Sequence, residues 1–484
     1  MRRPRLTALL ACAAVAAAFL AVARASFGSS GQATIIQDDT LLLYSGPSTR
    51  QRTLEEMKAL GARIVKVQVY WDQVAPGGTS KPAGFDAANP SSAGYNWSAY
   101  DDVDRRAAAL GLRVFFALGG RAPRWATSRL TGHPGTYRPS SSEFELFARA
   151  AGTRYSGAFG GLPRVSLWSV WNEPNLGSWL APQRGRRGVP LSPTIYRRLY
   201  LSAYSGLAAT GHAGDRVLLG ELMPLGASSA SRIPPLAFLR ELFCLDKHYR
   251  GYRGAAARAR GCPRRVGRIP TSGLAYHPYT ARGGPLAVPR SGDDAAIGQL
   301  SRITRTLDRL ARHGKLARRL PIWITEYGFQ TNPPDPFQYP IRKVPGFMDR
   351  SEWIAFHTHR VVSYSQYTLV DDPLGPGGGF ARYAGFQQGL RFADGRQKPG
   401  VYSAFQQPAF VKLGRRGRVE VFGGLRFGAP GALVTISSSG RVLGQARLNS
   451  AGYFDRVLRV RNAARRSYRI TIEGFSRVKR PSGR

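Results

Sequence analysis

Glu173 and Glu326 each stand at the end of a short apolar run. The first closes Leu167-Trp168-Ser169-Val170-Trp171-Asn172-Glu173 ahead of Pro174, and the second closes Pro321-Ile322-Trp323-Ile324-Thr325-Glu326 ahead of Tyr327-Gly328. A carboxylate where a buried strand emerges into a loop is poorly placed for packing and well placed for chemistry. Two of them in an aromatic-rich chain point to cleavage of a glycosidic bond, one carboxyl donating a proton while the other attacks the anomeric carbon. For cleavage with retention the pair must stand roughly 5–5.5 Å apart. Trp168 and Trp171 would place an apolar wall beside Glu173 and favour its protonated form, whereas hydrogen-bond donors would keep Glu326 ionised. Tyr279, in Ala275-Tyr276-His277-Pro278-Tyr279, is the candidate donor, with His277 beside it.

Such residues need a frame. From residue 33 to about 408, short β-branched runs alternate with longer amphipathic ones, the rhythm of βα units and a parallel sheet. The expected strands are 33–37, 64–70, 113–118, 166–170, 217–220, 274–276, 321–325 and 367–370. Eight strands are the number that closes a (β/α)₈ TIM barrel, where the ends of the fourth and seventh face each other across the mouth. Helix starts are expected at the capping boxes Thr53/Glu56 and Ser140/Glu143 and at Ser192-Pro193. Surplus length follows the strands, on the side where loops build a cleft. Over residues 411–475 the texture changes to short alternating runs with Gly-rich turns, the pattern of a small β-sandwich of seven strands. Residues 476–484 form a basic tail expected to be disordered.

At this point the residues resemble a family. Trp171-Asn172-Glu173-Pro174-Asn175 is similar to the acid/base motif, and Trp323-Ile324-Thr325-Glu326-Tyr327-Gly328 to the nucleophile motif, of glycoside hydrolases of barrel clan A, which contains families 5 and 39. Tyr95–Asp101 with Leu110–Val114, Arg121–Ala126 and Asp394–Pro399 resemble other parts of those enzymes. The resemblance spans the barrel region and implies Glu173 as acid/base, Glu326 as nucleophile, Asn172 as partner of the sugar 2-hydroxyl, and Trp125 and Trp171 as sugar contacts with His277 and Tyr279. Two departures stand out. Where such enzymes often carry an arginine supporting the nucleophile, this chain has Lys66, which keeps the charge without the bidentate fork. The expected eighth strand also ends without the tryptophan that many members place under the sugar. Glu221, closing the fifth strand, reads equally as a sugar contact or a structural group, and His277 equally as a supporting donor or a catalytic one.

The rest of the chain sets the context. With 43% hydrophobic and 11% aromatic residues over 484 positions, a sizeable core is available. Arg2, Arg3 and Arg5 precede an apolar run from Leu6 to Val22 and the small-x-small site Ala23-Arg24-Ala25, so residues 1–25 read as a secretory signal and the product as extracellular. An uncleaved membrane anchor is the alternative, marginal in length. Removing this segment leaves Cys244 and Cys262, which in an exported chain are expected to pair, a cross-link worth roughly 3 kcal/mol; two free thiols are the alternative. The net charge of +41 favours anionic surroundings such as a cell-wall polymer, while no nucleic-acid-binding motif is present. No metal-ligand spacing or phosphate-cradling loop occurs, so neither metal nor cofactor is expected. The expectation is therefore a secreted retaining glycosidase acting on a poly- or oligosaccharide. The alternatives are a transglycosylase on the same frame and a non-catalytic glycan- or wall-binding protein on a degenerate barrel.

Overall fold

The computed structural model describes residues 31–483 apart from 129–131, 133, 134, 227–230, 281 and 282; the signal segment read in residues 1–25 lies outside them. Eight parallel strands close into a barrel: β1 (Ala33–Gln37), β2 (Ile64–Tyr70), β3 (Arg113–Gly119), β4 (Leu167–Val170), β5 (Arg216–Leu222), β6 (Gly273–Tyr276), β7 (Ile322–Ile324) and β8 (Val361–Tyr367). β1 closes the ring on β8, with Ala33 opposite Ser363 and Gln37 opposite Tyr367.

Period-two alternation explains both sides of this wall. Along β2, Val65, Val67 and Val69 join the large apolar core under the helices, while Ile64 joins a separate cluster inside the barrel. That inner cluster combines Ile35, Ile64, Phe115, Leu167, Leu218, Ala275 and Trp323, one or two residues from each of several strands. Further along the same strands, towards their C-terminal ends, the buried residues turn polar: Lys66, Gln68, Ser169, Glu221, His277 and Thr325. The lower barrel is packed with hydrocarbon, and the upper barrel is built for polar chemistry.

Each strand is followed by a helix: α1 (Pro47–Ala59), α2 (Ser98–Ala109), α3 (Ser141–Arg154), α4 (Ser192–Leu207), α5 (Pro235–Glu241), α6 (Leu300–Arg312), α7 (Val344–His357) and α8 (Val401–Gln406). Ser140 caps α3 as expected, its Oγ accepting from the Glu143 backbone N–H at 3.3 Å. Thr53 does not cap α1. Pro47 starts that helix earlier, and the Thr53 hydroxyl donates to the Thr49 carbonyl within it. α6 buries Ile303, Thr306, Leu307 and Leu310 on one face.

The eighth strand lies earlier than expected. Residues 361–367 form it, not 367–370, because Ser363 and Ser365 donate to the β7-side carbonyls of Ile324 and Thr325 at 3.0 Å each. Those serines break the apolar run that the sequence reading sought.

A small β-sandwich follows: β9 (Ala409–Leu413), β10 (Arg418–Gly424), β11 (Leu433–Ser438), β12 (Arg441–Arg447), β13 (Tyr453–Arg459), β14 (Tyr468–Ile472) and β15 (Phe475–Lys479). They form one sheet in the order β9-β10-β13 and another in the order β12-β11-β14-β15, around a core containing Val419, Val421, Val434, Ile436, Tyr468 and Ile470. The tail expected to be disordered is instead strand β15, paired antiparallel with β14, and the Ser482 N–H donates to the Val411 carbonyl at 2.8 Å. Two of its charges are compensated, since Arg477 and Lys479 both donate to the buried carboxylate of Asp349.

Barrel and sandwich share a core of Phe356, Phe410, Phe422, Ala451 and Tyr453. Beside it Arg426 forms a bidentate pair with Glu352, 2.6 Å to each oxygen, and also donates to Thr34 Oγ1 and the Phe405 carbonyl. Cys244 and Cys262 are bonded, with Cα atoms 6.0 Å apart, and the loop between them is held by an Arg260–Glu241 ion pair and by Thr194 of α4 donating to the Arg260 carbonyl. Among the described residues no helix is long and apolar enough to cross a membrane.

Candidate active site

Two cations and three carboxylates meet at the C-terminal end of the barrel. Lys66, from β2, is fully buried and donates to Glu221 Oε2 at 2.8 Å and to Glu326 Oε1 at 3.1 Å. His277 directs Nε2 to Glu221 Oε2 at 2.5 Å, while Nδ1 lies 3.1 Å from Glu173 Oε1 and 3.4 Å from Glu326 Oε2. The Tyr279 hydroxyl donates to Glu326 Oε2 at 3.4 Å. Glu173, Glu326, His277, Tyr279 and Lys66 are thus one hydrogen-bonded cluster, drawn from β2 and the ends of β4, β6 and β7.

Glu221 sits at the centre of the cluster and is not a sugar contact. It is wholly buried, and besides Lys66 and His277 it accepts from Ser169 Oγ at 2.6 Å and Thr325 Oγ1 at 2.9 Å. Strict alternation would turn it outward, since Leu219 and Leu222 belong to the outer core. A register shift between Gly220 and Leu222, with Glu221 at φ 59° and Gly220 at φ 116°, re-aims the side chain inward. A Cβ at Gly220 would lie 2.5 Å from the Ala275 carbonyl oxygen, so glycine is required there.

The electrostatics follow from this wiring. Burial raises the cost of ionising Glu221, yet Lys66 and His277 outweigh it and hold the carboxyl well below the usual carboxylate range. Burial also works against a charged His277, but Glu326, Glu173 and Glu221 overcome it and lift the imidazole to about 9. Burial likewise opposes the Lys66 charge, and Glu221 with Glu326 reverses that effect and raises the ammonium. At neutral pH both cations are therefore protonated, and both ring nitrogens of His277 donate. Glu221, His277 and Glu326 have ligand atoms within 4.8 Å of one another, but the Lys66 ammonium already bonds two of them and supplies the positive charge.

The cluster opens into a cavity of about 400 Å³ lined by Gln37, Asp39, Gln68, Tyr70, Asp72, Arg121, Asn172, Glu173, Trp179, Tyr279, Glu326, Tyr367 and Phe386. The side chains of Glu173 and Glu326 are 15% and 11% exposed, so a ligand in the cavity can reach both. Gln37 Oε1, Asp72 Oδ1 and Asn172 Oδ1 are buried here without a hydrogen-bond partner among the described residues. All three are acceptors, so the cavity wall offers acceptor positions to the donors of a ligand. Asp39 accepts from Gln37 Nε2, the Gln68 N–H and the Tyr70 hydroxyl, and its burial pushes it up to about 6.

Two expected sugar contacts lie elsewhere. Trp171 is fully buried at φ 71°, turned against Phe144 on α3, with Nε1 donating to the Trp179 carbonyl at 3.0 Å. Trp168 is also core, so the apolar wall expected beside Glu173 is absent from the cavity. Trp125 packs edge-on against Trp71 and Phe85, and its Nε1 donates to the Pro76 carbonyl outside the catalytic cavity. The aromatics that do line it are Tyr44, Tyr70, Trp179, Tyr279, Tyr367 and Phe386. Tyr367 ends the relocated β8 and so lines the cavity from the strand that lacks the expected tryptophan; its peptide bond to Thr368 is cis. Trp179 and Phe386 come from loops and carry no periodic signal.

No family model matches the chain, and neither does any curated protein sequence. Among solved structures it is similar to a family 39 glycoside hydrolase from the gut symbiont Bacteroides cellulosilyticus WH2, at 13% identity over 89% of this chain and 80% of that one, with a TM-score of 0.51. GH5_18 from Streptomyces cattleya in complex with GlcNAc is also similar, at 14% identity over 78% and 79% of the two chains, with a TM-score of 0.49. A glucosidase from Croceicoccus marinus follows at 12% identity over 90% and 81%, with a TM-score of 0.48. These structural neighbours are glycoside hydrolases, and the likeness is one of fold.

Proposed function

We propose that this chain is a secreted retaining glycosidase that cleaves β-glycosidic bonds of a poly- or oligosaccharide. One observation carries the reading: Glu173 and Glu326 share a single imidazole nitrogen. Their oxygens lie 3.1 and 3.4 Å from His277 Nδ1, so the two cannot be further apart than about 6.5 Å. That bound sits at the bottom of the roughly 6.5–9.5 Å range of inverting pairs and accommodates the roughly 5–5.5 Å of retaining ones. The three orphaned acceptors in the cavity and the barrel's likeness to a family 39 glycoside hydrolase agree with a sugar substrate.

In this reading Glu326 attacks the anomeric carbon while the bond to the leaving oxygen breaks and Glu173 delivers its proton there. The glycosyl–Glu326 ester is then resolved by water, whose proton returns to Glu173. Lys66 donates to Glu326 Oε1, and Tyr279 to Oε2, holding the attacking carboxylate in one orientation. His277 donates from Nδ1 between the two glutamates and stabilises whichever carries the negative charge at each stage. Asn172, in the cavity wall beside Glu173, is the group for the sugar 2-hydroxyl. The export signal read in residues 1–25 and the charge of +41 support work outside the cell, on or near an anionic cell-wall polymer. Glu326→Gln tests the assignment: turnover of aryl β-glycosides should vanish while the unfolding temperature stays close to wild type. Near-normal turnover would remove Glu326 from the mechanism.

A further inference from the structure

A second cavity, of about 510 Å³, lies where the barrel, the sandwich and the C-terminal segment meet, and it shares no lining residue with the catalytic one. Five cationic side chains line it: Arg342, Lys343, Arg350, Lys479 and Arg480. Its single carboxylate, Asp349, is 1% exposed and already accepts from Arg477, Lys479 and the Ala409 N–H. Among the described residues, Arg342, Lys343, Arg350 and Arg480 have no carboxylate within ion-pair distance, so four positive charges face one cavity without compensation. Two cations carry an electrostatic cost for being there. Burial lowers Arg350, and burial together with the neighbouring Arg477 lowers Lys479 despite its bond to Asp349. The remaining wall is apolar, with Leu286, Phe347 and Phe410.

We infer that this cavity is an anion site, separate from catalysis, that docks a phosphate-bearing glycan. The charge count decides the class. A carboxylate sugar brings one negative charge per group, as a phosphodiester does, whereas a phosphomonoester brings about 1.5–2 and so neutralises several cations at one point in the cavity. Arginine forks bond two phosphate oxygens at once, and lysine adds a movable point charge. Leu286 and Phe347 give the apolar face against which the C–H side of a sugar ring packs. Docking a long anionic chain here would hold the protein on that chain.

The test measures binding of the mature, full-length protein at about 0.15 M salt to phosphorylated dextran, to carboxymethyl dextran of matched length and charge density, and to vesicles of phosphatidylglycerol. Arg342→Ala with Lys343→Ala, both exposed, should weaken binding of phosphorylated dextran about tenfold, and Arg480→Ala should weaken it in the same direction. Arg415→Ala with Arg416→Ala, an exposed pair on the β9–β10 turn, should change it by less than about twofold. Equal losses for both pairs would show a whole-surface field in place of a site, and overturn the inference. So would carboxymethyl dextran binding as tightly as the phosphorylated polymer, or a preference for vesicles. The readout is binding alone, so failure of the glycosidase reading would leave this result interpretable.

Discussion

Glu221 is the residue on which the catalytic geometry turns, although it touches no substrate. It fixes His277 through Nε2, Lys66 through Nζ, and two hydroxyls, one from β4 and one at the end of β7. Glu221→Gln keeps the shape and removes the charge, so kcat should fall about 10²–10³-fold with little change in KM. The alkaline limb of the pH–rate profile should also move to lower pH. Burial alone would pull His277 down, and Glu221 is one of the three carboxylates that lift it to about 9, so its loss lets the ring deprotonate earlier. An unchanged limb would contradict this role. Much of the cluster was legible in the sequence, because Glu173, Glu326, His277 and Tyr279 sit where apolar runs end. Lys66 was legible only through the resemblance, as the position where related enzymes often carry an arginine. Glu221 resisted because a bulge reverses its direction, and alternation cannot foresee a bulge.

At the scale of the element, that bulge is the device that places the charge. Gly220 holds a positive φ of 116° and lies against the Ala275 carbonyl. Gly220→Ala should therefore cost about 1–3 kcal/mol by thermal unfolding and lower kcat, because straightening β5 turns Glu221 away. Wild-type stability with wild-type kcat would contradict the bulge's role. β8 teaches a related lesson. Its serines satisfy neighbouring carbonyls from within the strand, so hydrogen bonding, not hydrophobicity, marks it, and the apolar residues 369–370 that looked like a strand lie beyond its end. Six of the eight barrel strands were placed within one residue of their positions because β-branched runs there do form the outer wall. β5 was placed correctly as well but closed two residues early, short of the bulge.

For the molecule as a whole, the barrel and sandwich are joined through a buried interface of aromatic and charged groups. Arg426 is buried and spends every donor group on Glu352, Thr34, Phe405 or Tyr453. Arg426→Ala strands the Glu352 carboxylate in the interface and should cost about 3–5 kcal/mol, read as one cooperative transition at lower temperature. A second contact across the same interface responds to pH. Burial lowers His357, but Asp455 and Glu420 outweigh it and raise it to about 9 from an ordinary value of 6.5. Its contribution is fully present below pH 6.5 and lost as pH rises through about 9, so the difference in unfolding temperature between wild type and His357→Gln should be constant in acid and vanish in alkali. The sequence showed two textures joined near residue 410, but not that charged pairs would lock them together, because partners such as Arg426 and Glu352 are far apart in the chain. The central claim, that Glu173 and Glu326 act as a close pair through a covalent intermediate, is tested most directly by the anomer first released. Proton NMR during hydrolysis of an aryl β-glycoside should show the β-anomer appearing first and mutarotating afterwards. If the α-anomer appears first, the reaction inverts, and Glu326 does not form the ester on which the account rests.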